Sequence, residues 1–155
     1  MSSAETSDDQ WESKDWSIRS ASEADIAAVL ALWRQAGGPA TATDDEEAVR
    51  ALLGRDRDAL LVANADDELV GSLIAGWDGW RGSFYRLVVD ANRRRRGIAT
   101  ALVRTGEERL RGLGARRLTA IVRSDEDDAI ALWSAVGYTR QSKRTRFIRM
   151  LEEPC

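Results

Sequence analysis

The chain has 155 residues, of which 43% are hydrophobic and 32% are charged, so one globular domain with a single sizeable core is expected. It contains no histidine and one cysteine, Cys155, which excludes an internal disulfide, a histidine-based nucleophile pair and a His- or Cys-cluster metal site. The net charge of −3 does not attract a polyanion to the protein as a whole.

The N-terminal stretch 1–15 is rich in Ser, Asp and Glu and lacks the basic start and apolar centre of a signal peptide. We therefore expect a flexible tail on a cytoplasmic protein, followed by a single domain over residues 16–155. No apolar run approaches the roughly 18 residues that a membrane span needs.

A short strand is predicted near the start of the domain. Ser22 then precedes apolar residues at helical spacing, with Asp25 in the capping-box position.

The Gly-Gly-Pro sequence at 37–39 ends this first helix. A second helix is predicted to start within 43–46 and to end with Gly54 as its C′ residue. The pattern then changes to apolar runs at 59–63 and 69–75 separated by a polar turn, which predicts a β-hairpin.

A Gly-punctuated turn at 77–82 precedes an apolar strand at 84–89. A helix is predicted over 97–111, closed by Gly112 and Gly114.

The last third of the chain continues with a strand at 118–122 and a helix that is capped by Ser124 and ends at Gly137. One or two final strands are predicted from Tyr138 onward and over 144–151. Hairpin strands followed by a β-α-β unit predict a mixed sheet, antiparallel at first and partly parallel later.

An arginine-rich loop connects the strand at 84–89 to the following helix. The first turn of a helix has unpaired N–H groups and the positive end of the dipole, so it favours an anion. Gly97 and the small Ala99 would let a diphosphate approach the backbone, and Arg94 to Arg96 would add charge. A solvated turn and a nonspecific nucleic-acid patch are the alternatives that the spacing leaves open.

Flanking residues connect this loop to a known family. Arg94-x-x-Gly97-x-Ala99 after a hydrophobic strand resembles the R/Q-x-x-G-x-G/A signature of the GNAT N-acetyltransferase superfamily. Residues 87–89 resemble the strand whose backbone pairs with pantetheine in that family. Residues 129–138 are similar to its A-I-x-L-Y-x-x-x-G-F/Y helix and turn.

The resemblance extends over residues 16–151, and the turn at 76–83 is similar to that of a bacterial branch, the YpeA-like acetyltransferases. It implies the GNAT fold, an α/β (α+β) domain with a mixed six- to seven-stranded sheet, about four helices and a V-shaped gap between strands 4 and 5. It also implies acetyl-CoA as the acyl donor, direct attack by an amine acceptor, and no metal. The cofactor-binding residues that it implies are Leu87, Val88, Val89, Arg94, Arg95, Arg96, Gly97, Ile98, Ala99, Thr100 and Trp133.

The sequence departs from the family at its usual acid and base positions. Trp133 stands where many members have a tyrosine that protonates the leaving thiolate, and an indole N–H cannot do so. Glu126 replaces a frequent asparagine, and Ile121 occupies a position where some relatives have a base. Asp78 and Tyr85 are the catalytic candidates, although Asp-Gly is also a turn former and a strand tyrosine often packs in a core.

Three functions follow from these observations. The first is an N-acetyltransferase acting on a small amine or a protein amino group. The second is a degenerate acyl-CoA-binding sensor or scaffold, for which Trp133 is the main support. The third is nucleic-acid binding through the arginine run, and the acidic net charge argues against it. An exposed pair of Trp77 and Trp80 would favour a homodimer.

Overall fold

A computed structural model describes residues 15–37 and 41–151. The predicted tail up to residue 14 and the Gly38-Pro39 pair lie outside these residues. The five strands of the sheet, in spatial order, are β1 (Trp16–Ser20), β2 (Leu60–Ala65), β3 (Glu68–Trp77), β4 (Gly82–Val89) and β5 (Leu118–Ala120). The first three pairings are antiparallel and the β4–β5 pairing is parallel, which confirms the predicted mixed sheet.

Helices cover both faces of this sheet. The four α-helices are α1 (Ile26–Ala36), α2 (Glu46–Arg55), α3 (Ile98–Leu113) and α4 (Asp127–Ala135). Two single-turn 3₁₀ helices, Glu23–Asp25 and Ala91–Arg93, precede α1 and α3. One core lies between α1, α2 and the sheet, and a second lies between α3, α4 and the opposite face. None of the helices in the described ranges is both long and apolar enough to span a membrane.

The predicted start signals of the first two helices are confirmed. The amide of Ser22 donates to Asp25 Oδ2 at 2.7 Å, as a capping box requires. Asp45 caps α2, because its Oδ1 accepts the amide of Ala48 at 2.8 Å. Both signals act within three residues, so the sequence is sufficient to find them.

Two predicted glycine stops are wrong. Helix α2 continues through Gly54, and the amide of Asp56 still donates to the carbonyl of Leu52 at 2.9 Å. Gly112 similarly lies inside α3, and only Gly114, with φ of +108°, terminates that helix. A glycine stops a helix reliably only where the backbone adopts a left-handed conformation.

The C-terminal part of the prediction also needs correction. Strand β5 ends at Ala120, and Glu126 rather than Ser124 is the N-cap residue of α4. The predicted strand at 144–151 is not part of the sheet, and Phe147 in this segment is 91% exposed. The sheet of the described residues therefore has five strands instead of six or seven.

Candidate functional site

The edge of β4 that faces β5 is only partly paired. The two strands pair only at their N-terminal ends, where Gly82 to Phe84 face Leu118 to Ala120. Strand β4 then continues to Val89, whereas β5 has ended. The far half of β4 consequently has an edge that β5 does not cover, as expected for the predicted gap between strands 4 and 5.

A β-bulge lies at the point where this edge becomes open. Ile74 of β3 pairs with Tyr85 and Ser72 pairs with Val88, so Leu73 faces two residues of β4. The extra residue is Arg86, whose φ of +54° is left-handed. A bulge inserts one residue into a strand and shifts the alternation of its backbone groups.

The bulge determines which peptide groups face the gap. Backbone groups along a strand point alternately to its two edges. The amide of Asp90 donates to Val70 in β3 at 2.8 Å, so the peptide groups of Val89 and of Leu87 point to the opposite, open edge. From that edge Arg94 Nε donates to the carbonyl of Val89 at 3.4 Å.

The N-terminus of α3 follows β4 in the chain after the 3₁₀ turn at Ala91–Arg93. Gly97 is its N-cap residue with φ of +85°, and Arg95 is also left-handed with φ of +65°. The first helical hydrogen bond runs from Ala101 to Gly97 (3.0 Å), so the amides of residues 98–100 precede the intrahelical ladder. A Cβ added to Gly97 would come no closer than 4.0 Å to a neighbour, Trp16 Cζ2. The turn can therefore accept an anion close to the backbone.

The four arginines of the loop have different roles. Arg93 is largely buried and pairs with Asp66 at 3.3 Å and Glu68 at 3.9 Å, which fastens the loop to the β2–β3 turn. The other three are exposed, and Arg96 pairs with Asp15 at 3.2 Å across the surface. Arg93 thus has a structural role, and the three arginines predicted from the sequence are accessible to a ligand.

The two catalytic candidates lie at different points along β4. Asp78 is in the β3–β4 turn, where its Oδ1 accepts the amides of Arg81 at 2.7 Å and Trp80 at 2.8 Å. These backbone hydrogen bonds, that of Arg81 first, hold the pKa of the Asp78 carboxyl below its usual range. Tyr85 is 49% exposed beside the bulge. With Arg86 in the bulge, four extended steps separate the start of β4 from Leu87, about 13 Å at 3.3 Å per residue, so along the strand Asp78 lies farther from the open edge than Tyr85 does.

The tryptophans of the β3–β4 turn are not equivalent. Trp77 is half-buried and packs against the α3–α4 core, whereas Trp80 is 70% exposed and stacks with the Arg81 guanidinium, 3.9 Å from the ring centroid. The exposed apolar area on this turn is therefore one side chain rather than two. The homodimer stays a prediction.

Trp133 lies in the core beneath β4. Its ring centroid is 5.6 Å from that of Phe84 and 4.9 Å from that of Tyr138. The Tyr138 hydroxyl donates to Glu107 Oε2 at 2.6 Å, and burial together with this carboxylate raises the pKa of Tyr138. Tyr138 is therefore committed to a structural contact and is a poor proton donor.

A polar network behind the bulge was not predicted from the sequence. Trp33 Nε1 donates to Ser72 Oγ at 2.9 Å, and Ser72 Oγ donates to the carbonyl of Arg86 at 2.8 Å. The Arg86 side chain in turn donates from Nε to Asp44 Oδ1 at 3.0 Å. The available signals were an arginine interrupting an apolar strand and a serine in the middle of β3.

Comparison with known proteins identifies the family. Residues 26–138 match the model of the Acetyltransferase (GNAT) family. An acetyltransferase from Pectobacterium atrosepticum is 35% identical over 136 residues, which cover 88% of this chain and 96% of the relative. The chain belongs to the GNAT acetyltransferase family and is an acyltransferase, as the sequence predicted.

Solved structures of the family share the fold. Ard1 from Thermoplasma volcanium aligns with a TM-score of 0.75 at 19% identity, covering 83% of this chain and 86% of that one. The aminoglycoside N-acetyltransferase AAC(6')-Iy, solved in complex with CoA, aligns with a TM-score of 0.67 at 19% identity, covering 88% and 95%. The predicted GNAT fold is confirmed. Within residues 15–37 and 41–151 no cluster of three or more potential ligand side chains is placed to hold a metal ion.

Proposed function

We propose that the protein transfers the acetyl group of acetyl-CoA to a primary amine by direct attack of the amine on the thioester. The observation that carries this proposal is the open edge of β4 together with the left-handed turn at the N-terminus of α3, which follows β4 in the chain after the 3₁₀ turn at Ala91–Arg93. An extended pantetheine arm can pair with such an edge as an additional strand would. A diphosphate fits the helix N-terminus that follows it.

The donor substrate is held by backbone groups and by accessible arginines. The amides of residues 98–100 bind the diphosphate, and the space in front of Gly97 admits it. Arg94, Arg95 and Arg96 add charge around the phosphates. The peptide groups of Leu87 and Val89 pair with the pantetheine arm and the acetyl group. A protein with the same fold has been solved in complex with CoA, which supports a CoA thioester as the donor.

The reaction needs little covalent chemistry from the protein. The amine nitrogen forms a bond to the acetyl carbon and gives up a proton to solvent, the C–S bond breaks, and CoA leaves as a thiolate that takes up a proton. The amide of Leu87 stabilises the oxygen on which negative charge develops. An ammonium group with a pKa of about 8 to 10.4 must first lose a proton. Tyr85 is the candidate proton donor to the thiolate, because it is half-exposed on β4 near the open edge.

The second function is a protein that binds acyl-CoA without turnover. The buried position of Trp133 supports it, since the indole cannot replace a catalytic tyrosine. Both functions require the same donor site. They differ only in whether an amine releases CoA from the bound thioester.

Calorimetric titration with acetyl-CoA and CoA tests the donor site. Gly97→Glu places a carboxylate where the diphosphate binds, and Gly114→Glu is the matched control at the other end of α3. Both glycines have a positive φ, so both changes strain the backbone, but only one lies at the proposed site. We expect binding to the wild type and to Gly114→Glu, and none to Gly97→Glu. Absence of binding to the wild type, or equal loss in both variants, would contradict the proposal.

Turnover is then measured as thiol release with three amine classes: an aminoglycoside, a polyamine and a peptide with a free N-terminus. Amine-dependent release of CoA supports the transferase. Tight donor binding without release by any amine supports the sensor.

A further inference from the structure

We propose that Ser72 and Arg86 are positioning residues that hold the β4 bulge and thereby aim the Leu87 amide at the acetyl carbonyl oxygen. This inference rests on the proposed function and deepens it. It states that two residues that do not touch acetyl-CoA determine where the Leu87 amide points.

The bulge decides which amide the acetyl group meets. At the start of β4 the amide of Gly82 donates toward the β5 side, to the carbonyl of Arg117 at 3.1 Å. Without an inserted residue, strict alternation would turn Arg86 and Val88 toward that side. With the insertion, Leu87 faces the gap instead. Loss of the bulge would therefore rotate the Leu87 amide away from the bound donor.

The bulge conformation does not arise from local preference. Arg86 has a φ of +54°, a left-handed conformation that a residue with a Cβ disfavours. It persists only if its surroundings hold it. The carbonyl of Arg86 is held by the Ser72 hydroxyl at 2.8 Å, and Ser72 is fully buried.

The orientation of that hydroxyl is itself fixed. Trp33 Nε1 donates to Ser72 Oγ at 2.9 Å, so the serine oxygen acts as an acceptor toward α1 and directs its own proton to Arg86. Trp33 is buried within the α1–α2 core, which makes the relay rigid. The main chain at the bulge is thus fixed from behind the sheet, on the side away from α3.

The Arg86 side chain adds a second restraint. Its guanidinium pairs with Asp44, whose side chain is only 9% exposed, and lies 5.1 Å from the centroid of the Trp33 ring. Burial lowers the pKa of Arg86, and Glu126 across the gap opposes this effect. The bulge residue is therefore held through both its carbonyl and its side chain.

The test compares the affinities for acetyl-CoA and CoA, since only acetyl-CoA has the carbonyl that the Leu87 amide contacts. In Ser72→Ala and Arg86→Val we expect the affinity for acetyl-CoA to fall roughly tenfold more than the affinity for CoA, the effect of one net hydrogen bond, because any loss of pairing with the pantetheine arm affects both ligands. Arg86→Asn is the matched control, because asparagine tolerates the left-handed conformation and valine does not. It keeps the backbone conformation but loses the pairing with Asp44, so its ratio of the two affinities should lie between those of the wild type and Arg86→Val.

The outcomes separate the inference from the proposed function. If the wild type binds neither ligand, the proposed function is wrong. If the wild type binds both and the ratio is unchanged in Ser72→Ala and Arg86→Val, the donor site stands and the positioning role is refuted. Equal weakening of both ligands also refutes it, because that result indicates a general structural defect. Should Ser72→Ala fail to fold, the comparison of Arg86→Val with Arg86→Asn decides the question alone.

Discussion

Helix α3 packs closely on the sheet at Gly106, and the cost of substituting this glycine by alanine can be estimated from its neighbours. A Cβ added there would lie 2.7 Å from Phe84 Cε1 and 3.2 Å from Leu73 Cδ2. Comfortable carbon–carbon contacts are about 3.5 to 4.0 Å, so the ring or the helix must move by about 1 Å. Phe84 cannot yield easily, since it is 2% exposed and packs against two other aromatic rings.

Two opposing effects determine the result of Gly106→Ala. Overpacking a core costs about 1 to 3 kcal/mol. Replacing a helical glycine by alanine gains about 0.5 to 1 kcal/mol. We expect a net destabilisation of roughly 1 to 2 kcal/mol, measured as the free energy of unfolding in urea with tryptophan fluorescence as the probe.

Gly112 provides the control within the same helix. A Cβ added there meets nothing within 4 Å, so Gly112→Ala should gain the helix-propensity term alone and stabilise the protein by about 0.5 to 1 kcal/mol. The two substitutions are chemically identical and should differ in sign. If Gly106→Ala proves as stable as Gly112→Ala, the close packing of α3 on β4 described above is incorrect.

Two further predictions concern pH and catalysis. Hydrogen bonds from Arg19 lower the pKa of the Asp25 carboxyl from 3.8 to about 2, so its contribution to stability is complete above pH 4 and is lost as the pH falls through 2. In urea unfolding at pH 7, Asp25→Asn should therefore be less stable than the wild type by at most about 2 kcal/mol. This difference should shrink below pH 4, and a difference independent of pH would contradict the prediction. If Tyr85 protonates the thiolate, Tyr85→Phe should lower kcat at least tenfold with little change in KM, whereas Asp78→Asn should leave kcat within about twofold because its carboxylate serves the turn. The opposite ranking in steady-state thiol release would assign the acid–base role to Asp78.

Much of the fold could be predicted because its signals are local. The capping box at Ser22, the Asp45 cap and the polar turn between β2 and β3 are each read from a few adjacent residues. The arginine loop was found for the same reason, since the strand, the loop and Gly97 are contiguous in the chain. Local signals failed for glycine, because this residue can either end a helix or lie within one. Gly54 and Gly112 lie within helices, although the sequence predicted that they end them.

The network behind the bulge could not be predicted because it depends on strand register. The inserted residue of β4 is identified by the pairing of Ser72 with Val88. The sequence of one strand does not specify that pairing, because it depends on both strands together. Arg93 was unassigned for a similar reason, since its partners, Asp66 and Glu68, lie in a distant turn. A strand was also predicted over 144–151, but a strand needs a neighbour to pair with, and Phe147 in this segment is 91% exposed.

The division of the interior into two cores has an evolutionary consequence. One core is built by α1 and α2, the other by α3 and α4, and the sheet between them keeps most of their side chains out of contact. Substitutions at separated, non-contacting positions affect stability almost independently. Substitutions on the α1–α2 side that leave the contacts of Trp33, Ser72 and Asp44 with the bulge intact should therefore need no compensating changes around α3.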